Sequence, residues 1–151
     1  MIRILFICHG NICRSPMAEF YFRELVKKAG RERDYVVASA AVSPEEWGNP
    51  VYPPARRLLN AHGISCEGKR ARQLTKKDYD AYNLLIGMEE SNRRGMLRIC
   101  GGDPEGKISL LMDWTGSPRP VADPWYTDDF DAAWRDVTEG CEALFRKLEE
   151  R

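Results

Sequence analysis

The stretch Cys8-His9-Gly10-Asn11-Ile12-Cys13-Arg14-Ser15 brings a thiol, a guanidinium and a hydroxyl close together near the start of the chain. A run of backbone N–H groups between a strand and a helix N-terminus forms an anion cradle. Gly10 permits tight turning there, and Asn11 tolerates a left-handed backbone. Arg14 offers a planar fork that grips two oxygens of a phosphate. Cys8 lies at the mouth of the same cradle, where positive potential favours the thiolate. A thiolate facing a bound phosphate is placed for in-line attack on phosphorus. All of Cys8, His9, Gly10, Asn11, Ile12, Cys13, Arg14 and Ser15 are therefore candidate phosphate-binding residues. The loop lacks G-x-x-x-x-G-K, so a magnesium–nucleotide complex is not implied. No carboxylate stands out by spacing alone. Asp123 precedes Pro124, a common turn, and has Asp113, Asp128, Asp129 and Asp131 nearby.

Flanking elements must hold such a loop in shape. Ile2 to Ile7 is short, apolar and rich in branched residues, as a buried strand requires. Ser15 followed by Pro16 reads as an N-cap with proline at the first helical position. Met17, Phe20, Tyr21, Leu25 and Val26 then recur at helical spacing, and Gly30 closes that helix. Tyr35 to Ala38 is a second strand candidate, and Ser43 to Pro54 a long surface loop. Helices are expected over Pro54 to His62, Thr75 to Tyr82 and Glu89 to Ile99. Asn83 to Met88 is a third strand candidate and Ile108 to Met112 a last apolar run. Gly116 to Tyr126 is irregular. From Thr127 the pattern is strongly helical, with Asp128 and Asp129 in the first turn to suit the helix dipole. Alternating strands and helices imply an α/β fold with a parallel sheet covered by helices on both faces. In such folds ligands bind at the carboxyl ends of the strands, where the Cys8–Ser15 loop lies.

The whole chain bounds these readings. Its 151 residues suit one domain. Hydrophobic residues make up 43% and charged residues 30%, as in an ordinary globular protein. No apolar run approaches the roughly 20 residues that cross a bilayer, and Met1 to Ile7 is too short for a signal peptide. Lys plus Arg number 23, as do Asp plus Glu, so no global basic field recruits nucleic acid. The basic segment Arg56 to Lys77 and the acidic segment Asp123 to Glu142 read as solvated faces. Five cysteines with no C-x-x-C pair, and His9 and His62 far apart, argue against a zinc site or a disulfide framework. Reduced thiols in the cytoplasm are expected, with no metal and no cofactor.

The stretch from Ile7 to Glu19 resembles the signature of the low-molecular-weight protein tyrosine phosphatases. The likeness spans the chain: Ser39 to Ser43, His62 to Ile64, Ala71 to Thr75, Met88 to Asn92 and Asp123-Pro124-Trp125 are similar in order. The resemblance implies a single domain with a four-stranded parallel sheet and a phosphate-binding loop after the first strand. It implies metal-free hydrolysis of phosphotyrosine proteins or peptides, inhibited by phosphate and vanadate. Cys8 would form a cysteinyl-phosphate, Arg14 would bind the phosphoryl oxygens, and Asp123 would be the general acid and then the base. Ser15 would hydrogen-bond the sulfur, while Asn11 and Ser39 would support the loop. Cys13 would be a redox partner, closing a reversible disulfide that shields Cys8. Cys66, Cys100 and Cys141 read as packing residues.

The substrate wall is expected from Ile12, Trp47, Trp125 and Tyr126. Two departures stand out. The family's wall aromatic usually comes about two residues before Trp47, where this chain has Glu45, and family members often have histidine near Lys69. Three other readings share the loop. An arsenate reductase would need a further cysteine pair, and only Cys100 is near the required place. A protein-arginine phosphatase has threonine at the position of Ile12. A non-catalytic phosphoprotein-binding module would be expected to lack Cys8 or Asp123.

Overall fold

A computed structural model describes residues 1–150 of the chain. Four strands, β1 (Ile2–Cys8), β2 (Tyr35–Ala41), β3 (Leu84–Gly87) and β4 (Ile108–Leu110), form one sheet in the order β2-β1-β3-β4. Every pairing is parallel. β1 occupies an interior position, so its apolar run is covered on both sides, and Ile4, Leu5, Phe6 and Ile7 are completely buried.

Among the described residues there are six α-helices, α1 (Arg14–Lys28), α2 (Pro53–Ala61), α3 (Lys76–Ala81), α4 (Glu90–Cys100), the short α5 (Pro124–Thr127) and α6 (Phe130–Glu149). Strand alternation divides the core. Ile4 and Phe6 pack with Met17, Phe22, Leu59, Val137 and Leu144, from α1, α2 and α6. Leu5 and Ile7 pack on the opposite face with Tyr79 of α3 and with Met96 and Cys100 of α4. Two glycines allow close helix approach. A Cβ at Gly95 would lie 2.3 Å from Val42, and one at Gly140 would lie 2.5 Å from Leu111.

Three local expectations differ from the structure. α1 begins at Arg14, with Cys13 at the N-cap and no side-chain cap. The Ser15 hydroxyl is engaged with Cys8 and Asn11 instead of a backbone N–H. Pro16 still fits, because first-turn N–H groups have no intrahelical acceptor to lose. β2 runs three residues beyond Ala38, since register with β1 outweighs the weak strand preference of alanine. Near the C-terminus, Asp128 adopts a left-handed backbone between α5 and α6. Asp129 is the N-cap of α6 and accepts the Ala132 N–H at 3.0 Å, so neither aspartate lies in the helix's first turn.

Among the described residues no helix is long and apolar enough to cross a membrane.

Candidate active site

The sheet order places β2 on one side of β1 and β3 on the other, so the loops leaving β1 and β3 diverge at their carboxyl ends. A crevice at such a switch point is where open α/β sheets bind ligands. The β1 loop supplies Cys8 to Ser15, and the start of α4 after β3 supplies Glu89 and Ser91 to the same cleft.

Carbonyls of the Cys8 loop are held from outside. Cys8 O accepts from Val42 N at 3.0 Å, His9 O from Ser43 N at 3.0 Å, and Ile12 O from Tyr52 N at 2.9 Å. Asn11 takes the turn, with φ of 60°. Gly10 is not left-handed; it is tight because a Cβ there would lie 3.3 Å from Glu46 Cγ. Asn11 is 1% exposed, so its polar groups need partners within the protein. Its Nδ2 donates to Ser15 Oγ at 2.8 Å and to Ser39 Oγ at 2.9 Å, and its Oδ1 accepts from Arg72 N at 3.2 Å. Its backbone N–H points at Cys8 Sγ, 3.3 Å away, and Ser15 Oγ lies 3.0 Å from the same sulfur.

Arg14 is buried, and its guanidinium is fixed by partners far along the chain. Nη1 donates to Glu89 Oε2 at 2.6 Å and to Val121 O at 3.0 Å, while Nη2 lies 3.4 Å from Asp123 Oδ2. A guanidinium has five N–H donors. These contacts leave the Nε–H and one Nη2–H as a fork that matches a pair of phosphoryl oxygens. Asp123 caps α5 by accepting the Trp125 N–H at 3.1 Å through Oδ1. Its other oxygen, Oδ2, is the one that faces Arg14.

A buried network stands behind the loop. Ser39 Oγ donates to Glu19 Oε1 at 2.5 Å. Glu19, itself 3% exposed, also meets Arg23 at 2.7 Å and Lys69 at 3.4 Å. Lys69 donates to Ser39 O at 3.0 Å. Burial lowers the Lys69 pKa against the opposing pull of Glu19. Cys13 also lines the cleft, and its thiol is pushed up to about 12, first by burial and then by the negative charges of Cys8 and Asp123. Cys66, Cys100 and Cys141 are buried and unbridged, and burial raises their thiol pKa values.

The cleft has a volume of about 180 Å³. Ile12, Trp125 and Tyr126 line it, and Trp125 and Tyr126 are largely exposed, not core tryptophan and tyrosine. Trp125 leans on Tyr52, with ring centroids 5.5 Å apart. Trp47 is the exception among the expected wall residues. It is 61% exposed and lies outside the lining, which Glu45 and Glu46 occupy in its place. The β2–α2 loop turns at Pro44-Glu45-Glu46-Trp47, and the bond from Trp47 N to Pro44 O at 3.1 Å puts the two glutamates at its tip. His9 is well exposed beside Glu45, at 3.6 Å. Little in the sequence marks Glu89, Glu19 or Glu46, because the contacts that bring them to the site are remote: Arg14 for Glu89, Ser39 and Lys69 for Glu19, and Gly10 for Glu46. Among the described residues no group of three His, Cys, Asp or Glu could hold a metal ion.

The chain is similar to known proteins over nearly its whole length. Residues 3–151 match the profile of the family described as low molecular weight phosphotyrosine protein phosphatase. The chain is 35% identical over 151 residues to the low molecular weight protein-tyrosine-phosphatase YfkJ of Bacillus subtilis, covering 99% of this chain and 97% of that one. The crystal structure of YfkJ matches with a TM-score of 0.95 over 99% of this chain and 96% of that chain. Identity is 36% over 152 residues to the low molecular weight phosphotyrosine protein phosphatase of Sus scrofa, covering 96% and 94% of the two chains. The crystal structure of a drosophila arginine phosphatase matches at 28% identity with a TM-score of 0.87, covering 97% and 98%. In fold and in sequence across nearly its full length, the chain belongs to the low molecular weight phosphotyrosine protein phosphatase family.

Proposed function

We propose that the protein hydrolyses phosphotyrosine in cytoplasmic proteins or peptides through a cysteinyl-phosphate, without a metal ion. The Cys8 thiolate attacks phosphorus in line while the bond to the tyrosyl oxygen breaks. Asp123 gives its proton to that oxygen, and tyrosine leaves. Water then attacks the phosphorus, Asp123 takes its proton, and the S–P bond breaks to return thiolate and inorganic phosphate. Dividing one displacement in two lowers each barrier. Arg14 and the loop N–H groups bind the phosphoryl oxygens, which carry the transition-state charge. Ser15 stabilises the departing thiolate, and Asn11 and Ser39 keep the loop in shape.

One observation carries this reading: the Cys8 sulfur is held by Ser15 Oγ at 3.0 Å and Asn11 N at 3.3 Å in the cleft that Arg14 and Asp123 also line. Turnover of para-nitrophenyl phosphate and of a phosphotyrosine peptide tests it. Activity should persist in EDTA, fall competitively with vanadate or phosphate, and vanish in Cys8→Ser, which should still bind phosphate. Retention of more than a few percent of turnover by a verified Cys8→Ser protein would refute the covalent mechanism. A loss in EDTA that added metal restores would refute the metal-free one. A phosphoarginine reading has the likeness to the drosophila arginine phosphatase in its favour. Ile12 weighs against it, since an aliphatic side chain suits a flat ring and offers a guanidinium no hydrogen bond.

A further inference from the structure

The rim of the cleft carries more negative charge than phosphate chemistry needs. Glu45, Glu46, Glu89 and Asp123 all line it. Glu89 and Asp123 are accounted for by Arg14. Glu45 and Glu46 are not: among the described residues neither has a lysine or arginine within ion-pair distance, and the nearest cationic candidate is His9, 3.6 Å from Glu45. Glu46 is not a loose surface side chain. Its stem lies against the phosphate loop at Gly10, and its carboxylate is fixed by Asn49 Nδ2 at 2.6 Å. Its charge reaches inside, as one of the groups that raise the Cys13 thiol pKa. The same cleft is lined by the exposed rings of Trp125 and Tyr126.

We propose that Glu45 and Glu46, together with the Trp125 and Tyr126 rings, form a cation subsite that selects phosphotyrosine flanked by lysine or arginine. Carboxylates attract the flanking cation, and aromatic faces add cation–π attraction to it. A flanking acid would meet two glutamates and be repelled. The inference rests on the phosphotyrosine reading and adds the substrate's sequence context to it.

Its test uses the full chain and two synthetic phosphotyrosine peptides that differ only in carrying lysine or glutamate on both sides of the phosphotyrosine. At low ionic strength kcat/KM should favour the lysine peptide by roughly 3- to 10-fold, the scale of exposed ion pairs and cation–π contacts. The preference should shrink as salt is added. It should approach unity in the double variant Glu45→Gln/Glu46→Gln and tilt toward the glutamate peptide in Glu45→Lys. Each ratio is measured within one preparation, so a partly folded variant does not distort it. A wild-type ratio of one or below, with both peptides turned over, overturns the subsite and leaves the phosphotyrosine reading intact. So does a double variant that keeps the wild-type ratio. Turnover of neither peptide overturns the phosphotyrosine reading itself, and the subsite with it.

Discussion

Replacing Asn11 by alanine removes a side chain that ties three parts of the site together. Three hydrogen bonds disappear, to Ser15 Oγ, to Ser39 Oγ and from Arg72 N. At about 0.5–1.5 kcal/mol net for each, the loss is about 1.5–4.5 kcal/mol. Alanine at φ of 60° adds about 1 kcal/mol of backbone strain. A total of about 2.5–5.5 kcal/mol corresponds to a fall in Tm of roughly 5–22 °C for a chain of this size. Asn11→Gly keeps the left-handed turn without strain but loses the same bonds, so it should unfold at a slightly higher temperature than the alanine variant. Both should lose at least about tenfold in kcat/KM, because an error of about 1 Å in a reacting group's placement can cost 10²-fold. Thermal unfolding by circular dichroism, together with para-nitrophenyl phosphate turnover, measures both quantities. An alanine variant that unfolds within about 2 °C of wild type with turnover intact would refute the claim that this side chain shapes the loop.

Asp123→Ala should lower phosphotyrosine turnover by ~10²–10⁴-fold, and by less for esters whose leaving groups need no proton; equal losses along a leaving-group series would make Asp123 structural. Ile12→Thr should weaken turnover of phosphotyrosine peptides and raise that of phosphoarginine, a shift of roughly 10–200-fold in the ratio of kcat/KM values. An unchanged ratio would remove Ile12 from specificity. Peroxide should inactivate the protein and thiol reductant restore it, through a Cys8–Cys13 disulfide. Once Cys8 is an uncharged sulfenic acid, one cause of the high Cys13 pKa is gone, which eases the capture; mass spectrometry finding only sulfinic and sulfonic acids on Cys8 would reject this. Stability should fall as pH rises above about 8.5, the ordinary thiol value. Cys13 and Cys141 have raised pKa values in the fold, so the unfolded chain gives up their protons first, and each contributes a loss of order 1 kcal/mol per pH unit; a Tm that stays flat to pH 10 would contradict the burial of these thiols.

The Cys8–Ser15 loop was legible because its chemistry is compressed into consecutive residues between a strand and a helix. The division of the core was legible too, since strand alternation and helical spacing act over a few residues. The Arg14–Glu89 pair was not: Glu89 reads as an ordinary residue at the start of a helix until β3 sets it beside β1. Ser15 misled for a related reason. Its type and its proline neighbour announce a cap, and only tertiary contact turns its hydroxyl toward Cys8. At the expected substrate wall residue type is a poor guide, since loop geometry delivers Glu45 and Glu46 to the cleft and leaves Trp47 outside it.

The reach of the Arg14 contacts bears on how the protein acquires activity. Glu89 is 75 residues away from Arg14 in sequence, Val121 is 107 and Asp123 is 109. Contacts this remote form late, because closing long loops must precede any gain from them. During synthesis Cys8 and Arg14 leave the ribosome early, and the residues that orient them follow only when most of the chain has been made. A half-made or half-folded chain therefore holds Cys8 without the partners that fix the Arg14 guanidinium. On the proposed mechanism hydrolysis waits until the segment between β4 and α5 has docked, so turnover would report completion of the fold.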